Sequence, residues 1–228
     1  MCDDEVRKLT VAGGLASSTA TTLALAKLAR EHPSSSGLLS AGILVAGVVM
    51  MLRAGAIAVA LNGALFVPLI PALSTAAAVL GIGAAILWFR NVQQETPELQ
   101  IRNPLEVGTA IKLTVLLAAV MLAAELVRRM FGGVGIFVVA ALSGIADVDA
   151  VTISIARMGD VDLNIAARAI MIAIAINTVS KAIMASWVGS KKVGLLVGGI
   201  SAVALAGGLV AAVLVWQFQK EKASDARG

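Results

Sequence analysis

The sequence predicts an all-α membrane protein, a bundle of about seven transmembrane helices. Of the 228 residues, 59% are apolar and only 14% are charged, and the mean hydropathy of +0.93 is far above the range of soluble globular proteins. Uncharged stretches long enough to cross a bilayer recur along the chain. The net charge of +4 is spread over loops and termini. This distribution is typical of a protein inserted in a lipid bilayer, which is its expected partner, and gives no sign of nucleic-acid binding.

The first half of the chain contains three predicted spans. Residues 9–26 are rich in Ser and Thr, and such a helix belongs inside a bundle, where small hydroxylated residues pack closely and hydrogen-bond. The second span covers residues 37–61 and carries Arg53. Turn-forming residues divide the next uncharged run: Asn62, Gly63, Pro68 and Pro71. The third span therefore covers residues 72–89.

The second half contains four predicted spans. They cover residues 105–127, a segment with Asp147 and Asp149, residues 163–188 and residues 193–218. The chain thus divides into a first unit of about three spans, a polar connection, a second unit of about four spans and a charged tail: residues 1–90, 91–103, 104–218 and 219–228. Basic residues are slightly more numerous on the side of the C-terminus, which favours a cytoplasmic C-terminus.

Two segments of the chain resemble each other. Residues 14–29 (GLASSTATTLALAKLA) align without a gap on residues 144–159 (GIADVDAVTISIARMG). The polar positions correspond in pairs: Ser17 with Asp147, Thr19 with Asp149, and Thr22 with Thr152. We predict an internal duplication whose two halves have diverged in charge.

Asp147 and Asp149 lie in an otherwise apolar run, where ionised groups are costly and usually functional. In a continuous helix their side chains would point about 200° apart. If the helix unwinds near residues 143–144, both carboxylates and the freed carbonyls face one cavity, as in the discontinuous helices of transporters. In the alternative, one Asp caps a helix that begins near Val148 and the other pairs with a base.

Asn177 and Lys181 are four residues apart and share one helix face. Lys181 is a natural partner for an Asp, but it is also close enough to the helix end to extend to the membrane surface. Arg53 occupies the corresponding place in the first unit, and there extension to the surface is the favoured interpretation. The hydroxyl cluster of residues 17–22 is more often a helix-packing face than an ion site.

These patterns predict a transporter or channel-like protein for a small cation or proton, with an intramembrane carboxylate site at the interface of the two repeats. The candidate ion-binding residues are polar and lie in the two copies and the following helix: Asp147, Asp149, Thr152, Ser17, Thr19, Thr22, Asn177 and Lys181. The metal ion, if one is bound, stays unspecified, and no cofactor is expected. The alternative is a non-transporting regulatory or assembly subunit whose polar residues hold helices together or bind a partner, a second copy included.

An enzyme is not expected from this sequence. Cys2 is the only cysteine and His32 the only histidine, which excludes disulfides within the chain and Cys/His metal sites. The sequence also has no nucleophile–base pair and no intramembrane protease motif, so the carboxylates carry the only candidate chemistry.

Four stretches together resemble one known family: GGLASSTATTLALAKLA at residues 13–29, RNPLE at 102–106, ALSGIADVDAVTISIARM at 141–158 and NTVSK at 177–181. They are similar to the C-terminal membrane domain of unknown function in MgtC/SapB-type bacterial membrane proteins. The resemblance implies a multi-pass protein of the bacterial inner (cytoplasmic) membrane and a link to magnesium or ion homeostasis. In that family an MgtC-like part and a further hydrophobic helix precede the domain, so we expect a fragment or a chain with a late start.

Overall fold

A computed structural model describes residues 2–91, 136–138, 140–145, 147–158 and 161–225. All regular elements in these ranges are helices, which confirms the all-α class. The described residues form α1 to α7 in chain order: Cys2–Glu31, Ser36–Leu61, Phe66–Asn91, Ile136–Ile145, Val148–Ala156, Leu163–Met184 and Lys191–Asp225. The predicted span at residues 105–127 and most of the polar connection lie outside the described residues.

Four segments of the described chain are long and apolar enough to cross a membrane: Pro33–Leu61, Gly63–Asn91, Leu163–Gly189 and Lys191–Glu221. They contain α2, α3, α6 and α7, and they correspond to the second, third, sixth and seventh predicted spans. The protein is therefore a membrane protein with four spans of sufficient length in the part of the chain that is described. The total of seven stays a prediction, because the fourth predicted span lies outside the described residues, and the first, in α1, and the fifth, in α4 and α5, are not among these four.

The turn before α3 is shorter than the turn that was predicted from the positions of Pro68 and Pro71. Asn62 has an extended backbone (φ −146°, ψ 95°), and its side chain accepts a hydrogen bond from the Ala64 amide. α3 begins at Phe66 rather than near residue 72. Pro68 lies in the first helical turn, where the backbone N–H groups have no partner within the helix, so its missing N–H costs no hydrogen bond. Pro71 is accommodated inside the helix.

α2 is the central helix of the described fold. It packs against α1, α3, α5 and α7, and α6 packs against α5 and α7. Glycines allow close approach at two of the helix contacts: a Cβ added at Gly208 of α7 would lie 3.1 Å from the carbonyl oxygen of Ala72, and one added at Gly189 would lie 3.1 Å from that of Ala26. The core is aliphatic and includes Leu39, Ile43 and Ile170. This packing brings the polar side chains of α2, α5 and α6 to one region.

Candidate functional site: a helix break with buried charges

The segment with the two aspartates contains a break between α4 and α5. Asp147 has an extended backbone (φ −153°, ψ 108°), and α5 begins at the next residue. The Asp147 amide still donates to the Ser143 carbonyl over 2.8 Å. Its carboxylate accepts from the amides of Asp149 (2.9 Å) and Ala150 (3.4 Å). Asp147 therefore caps α5, as the capping alternative predicted.

Asn177 of α6 stabilises the other side of this break. Its side-chain amide donates to the Gly144 carbonyl over 2.8 Å, and the residue is only 2% exposed. In an unbroken helix the Val148 amide would be the partner of that carbonyl. Gly144 makes the contact possible, because a Cβ at this position would lie 2.6 Å from the Ala173 carbonyl oxygen. α4 and α6 thus meet backbone to backbone beside the break.

Asp149 forms an ion pair with Arg53 of α2. A carboxylate oxygen lies 2.6 Å from a guanidinium nitrogen, and the side chains are 21% and 25% exposed. A pair of this length is a charge-assisted hydrogen bond. Arg53 therefore points to α5, in contrast to the prediction that it extends to the membrane surface. The pair joins α2 to α5 directly.

Lys181 is buried beside this pair. It is 3% exposed, and it lies within electrostatic range of both Asp149 and Arg53. Its ammonium group has no hydrogen-bond partner among the described residues. Lys181 is therefore an ionisable group held inside the protein rather than at the helix end, although a buried amine is normally bonded to acceptors.

Three further buried atoms near the break have no hydrogen-bond partner in the described part of the chain. They are side-chain oxygens of Asp149, Thr152 and Asn177. Thr152 is fully buried and lies one turn beyond Asp149 on the same face of α5. Buried polar atoms are nearly always satisfied by protein, water or a ligand. Three oxygens of α5 and α6 and one ammonium therefore have unused hydrogen-bonding capacity near the break.

The hydroxyls predicted to belong to this site lie in α1. Ser17 interrupts α1 with an extended backbone (φ −160°, ψ 105°), and its hydroxyl accepts from the Ala20 amide over 3.3 Å. Thr22 is fully buried and donates to the Ser18 carbonyl over 2.8 Å, whereas Thr19 is half-buried. α1 packs mainly on α2 and on the short π-helix Ala185–Gly189 that follows α6. The helices that carry Arg53 and Lys181 thus contact both α1 and α5.

Two features of the site were not predicted from the sequence: the contact of Gly144 with α6 and the role of Arg53 as the partner of Asp149. The available signal for Arg53 was a lone charge in a long apolar span, at the place that Lys181 occupies in the second half. The sequence indicated Gly144 as a point of unwinding and as the counterpart of Gly14 in the first copy, but it gave no sign that α6 packs against it. Within the described ranges, no three His, Cys, Asp or Glu residues gather as a metal-binding group.

Comparison with known proteins gives the family but no activity. Residues 7–189 match the family model described as a domain of unknown function (DUF4010). Because this match covers most of the chain, the protein belongs to that family. An uncharacterized protein from Aquifex aeolicus (strain VF5) is 29% identical over 185 residues, which is 79% of this chain and 80% of the relative. No solved structure matches.

Proposed function

We propose that this member of the DUF4010 family is a transporter of the bacterial inner membrane, which moves a small cation past the helix break in exchange for a proton. One observation carries the proposal: Lys181 and three unpartnered side-chain oxygens lie buried beside the Arg53–Asp149 pair. Charged and polar groups are costly inside a membrane span and usually mark an ion or proton pathway. Discontinuous helices are the structures on which transporters build such sites.

The oxygens define the chemistry of the proposed substrate. Carboxylate, hydroxyl and amide oxygens are ligands for hard cations, and Asp149, Thr152 and Asn177 supply one of each. Asp149 also remains bound to Arg53, so the site has less negative charge than a cage of free carboxylates. A weakly charged site of this kind suits transient binding, which transport requires.

Lys181 supplies the proposed coupling. Two positive charges a few ångströms apart repel strongly in a site with a low dielectric constant. The protonated Lys181 and a bound cation therefore compete for the same region. In the proposed cycle the cation enters as Lys181 releases its proton, and reprotonation of Lys181 expels the cation on the other side.

The internal duplication is part of the proposal. Ser17 and Asp147, which correspond in the two copies, have nearly the same backbone angles, and each accepts a hydrogen bond from the amide three residues ahead. The Arg53–Asp149 pair then joins a helix of the first unit to a helix of the second. The relation to MgtC/SapB-type proteins is proposed on sequence resemblance, and it adds Mg²⁺ to the cations worth testing.

Ion flux in proteoliposomes tests the proposal. Vesicles containing the protein and a pH-sensitive dye are exposed to outward gradients of Na⁺, K⁺ or Mg²⁺. We expect one cation to drive proton movement. We expect Asp149→Asn and Lys181→Met each to reduce the rate about 100-fold or more, the lower end of the effect for groups that act directly in proton transfer. Asp162→Asn is the matched control: Asp162 caps α6, and Asn caps equally well, so its flux stays within about twofold of the wild type.

A second candidate is a non-transporting subunit in which the same groups only hold helices together. The Asn177–Gly144 hydrogen bond and the Arg53–Asp149 pair favour it, since each joins two helices. If the wild-type protein dissipates no cation or proton gradient, the transport proposal is wrong. Co-purification of a stoichiometric partner that Asp149→Asn releases would then support the subunit role.

A further inference from the structure

A second feature of the structure lies near the start of α6 and the end of α7, whereas Lys181 lies near the end of α6. A cavity of about 560 Å³ opens between α2, α3, α4, α6 and α7, and its lining is apolar except for Arg168. Its volume is within the range of pockets that hold small molecules. The proposed cation site cannot use it, because the cavity has no oxygen-rich lining to coordinate an ion.

Two cations meet at one tryptophan beside this cavity. The guanidinium of Arg168 lies 5.3 Å from the centre of the Trp216 ring, and the Lys220 ammonium lies 4.1 Å from it. Arg168 is near the start of α6, and Trp216 and Lys220 are near the end of α7. Tryptophan is enriched at the membrane–water boundary. Two cations and the ring between them thus form a group that we call the Trp216 cluster: Arg168, Trp216 and Lys220.

The cavity and the Trp216 cluster lie on one continuous helix face. In α7 the spacing of Leu205, Leu209, Ala212, Trp216 and Lys220 is four, three, four and four residues, which places them in one row. In α6 Arg168 and Ile172 are one turn apart, and Ile172 lines the same cavity. The row therefore begins at the cations and continues along apolar side chains towards the middle of the span.

We propose that this groove binds an anionic phospholipid, with its phosphate between Arg168 and Lys220 and one acyl chain along the apolar lining. Charge complementarity favours this occupant: basic pockets between transmembrane helices bind anionic headgroups. An apolar channel that ends in two cations at a tryptophan matches the two chemical parts of such a lipid. A free phosphate ion would use the cations but would leave the apolar lining without a ligand.

Tryptophan quenching tests this proposal directly. The variant Trp88→Phe/Trp187→Phe leaves Trp216 as the single tryptophan. It is purified in detergent and mixed with phosphatidylglycerol or phosphatidylcholine that carries bromine on the acyl chain. We expect the half-quenching concentration of the phosphatidylglycerol to be roughly tenfold lower, since two cations contribute to its binding.

Two variants distinguish recognition of the lipid headgroup from binding of the acyl chain. Arg168→Gln/Lys220→Gln should remove the preference for phosphatidylglycerol, whereas Lys191→Gln/Lys192→Gln at the opposite end of α7 should preserve it. Ala212→Phe fills the groove and should reduce quenching by both lipids. Native mass spectrometry of the wild-type chain checks the result without the tryptophan substitutions, and phosphatidylglycerol should remain bound where phosphatidylcholine is lost.

Three outcomes would overturn the proposal. A failure of phosphatidylglycerol to quench more strongly than phosphatidylcholine would be the first: absent quenching by both would mean that another segment of the chain or a second copy covers the groove, and equal quenching would mean that the headgroup is not recognised. A preference that survives Arg168→Gln/Lys220→Gln would place the lipid elsewhere. Displacement of the brominated phosphatidylglycerol by inorganic phosphate would show a site for a soluble anion rather than for a lipid.

Discussion

Ser17 in α1 and Asp147 before α5 interrupt their helices with almost the same backbone angles, and each caps the helix that follows. The surroundings of the two breaks differ. After Ser17 the hydroxyls of Thr21 and Thr22 bond to carbonyls of their own helix. Around Asp147 polar groups join the break to other helices: Asp149 pairs with Arg53 of α2, and Asn177 of α6 donates to the Gly144 carbonyl.

The two breaks show that the interruption of a helix and its connection to other helices are separate properties, which occur together only at the second break among the described residues. The interruption of a helix requires only a capping side chain, and a neutral serine suffices for it. The connection to α2 and α6 requires a charge and an amide, and these occur only at the second break within the described residues. We therefore expect substitutions at the second break to have larger effects wherever they affect the contacts between helices.

The largest expected effect comes from Gly144→Ala. The new methyl group would lie 2.6 Å from the Ala173 carbonyl oxygen, so α4 and α6 would have to separate, at a cost of about 3 kcal/mol. Denaturant titration in detergent micelles measures the free energy of unfolding. Gly199→Ala is the control, because nothing lies within 4 Å of its added Cβ. Equal stability of the two variants would contradict the backbone contact.

Asp149→Ala should come next, at about 2 kcal/mol of unfolding free energy. Removal of one member of a buried ion pair typically costs about 3–5 kcal/mol, and the half-buried position of this pair lowers the value. Thr19→Ala tests the corresponding position in α1, where a half-buried hydroxyl is lost, and should stay within about 1 kcal/mol. A similar loss for both variants would mean that the charge does not distinguish the breaks.

Asn177→Ala should cost about 1–2 kcal/mol, because it removes the donor to the Gly144 carbonyl and leaves that acceptor without its partner. The neighbouring Thr178→Val is the matched control. The Thr178 hydroxyl donates to the Ile174 carbonyl of its own helix, which already belongs to the α6 hydrogen-bond ladder. Thermal unfolding in detergent compares the two. An equal decrease would argue against a special role of Asn177 between helices.

The smallest effects should come from exchanging the caps. Asp147→Ala and Ser17→Ala each remove an N-cap and should cost about 1 kcal/mol. Asp147→Ser and Ser17→Asp replace one good cap by another, so each should stay within a few tenths of a kcal/mol of the wild type. Circular dichroism during thermal unfolding measures all four. A large loss for Asp147→Ser would assign the Asp147 charge a role beyond capping.

The amino-acid sequence alone determined the class of the protein and the approximate positions of four of its spans. Long uncharged stretches predict membrane helices because polar backbone groups in lipid must bond within the helix, and four such spans are confirmed in the described chain. The sequence also predicted a special role for Asp147 and Asp149, since carboxylates are rare in apolar runs. The break itself was predicted within a few residues.

Tertiary structure decided which groups meet. Arg53 and Asp149 are 96 residues apart in the sequence, and Asn177 and Gly144 are 33 apart. Hydropathy predicts which helices enter the membrane, but it does not predict which faces of those helices contact each other. That choice depends on close packing, as at Gly144 and Ala173, where the absence of a single Cβ allows two helices to meet.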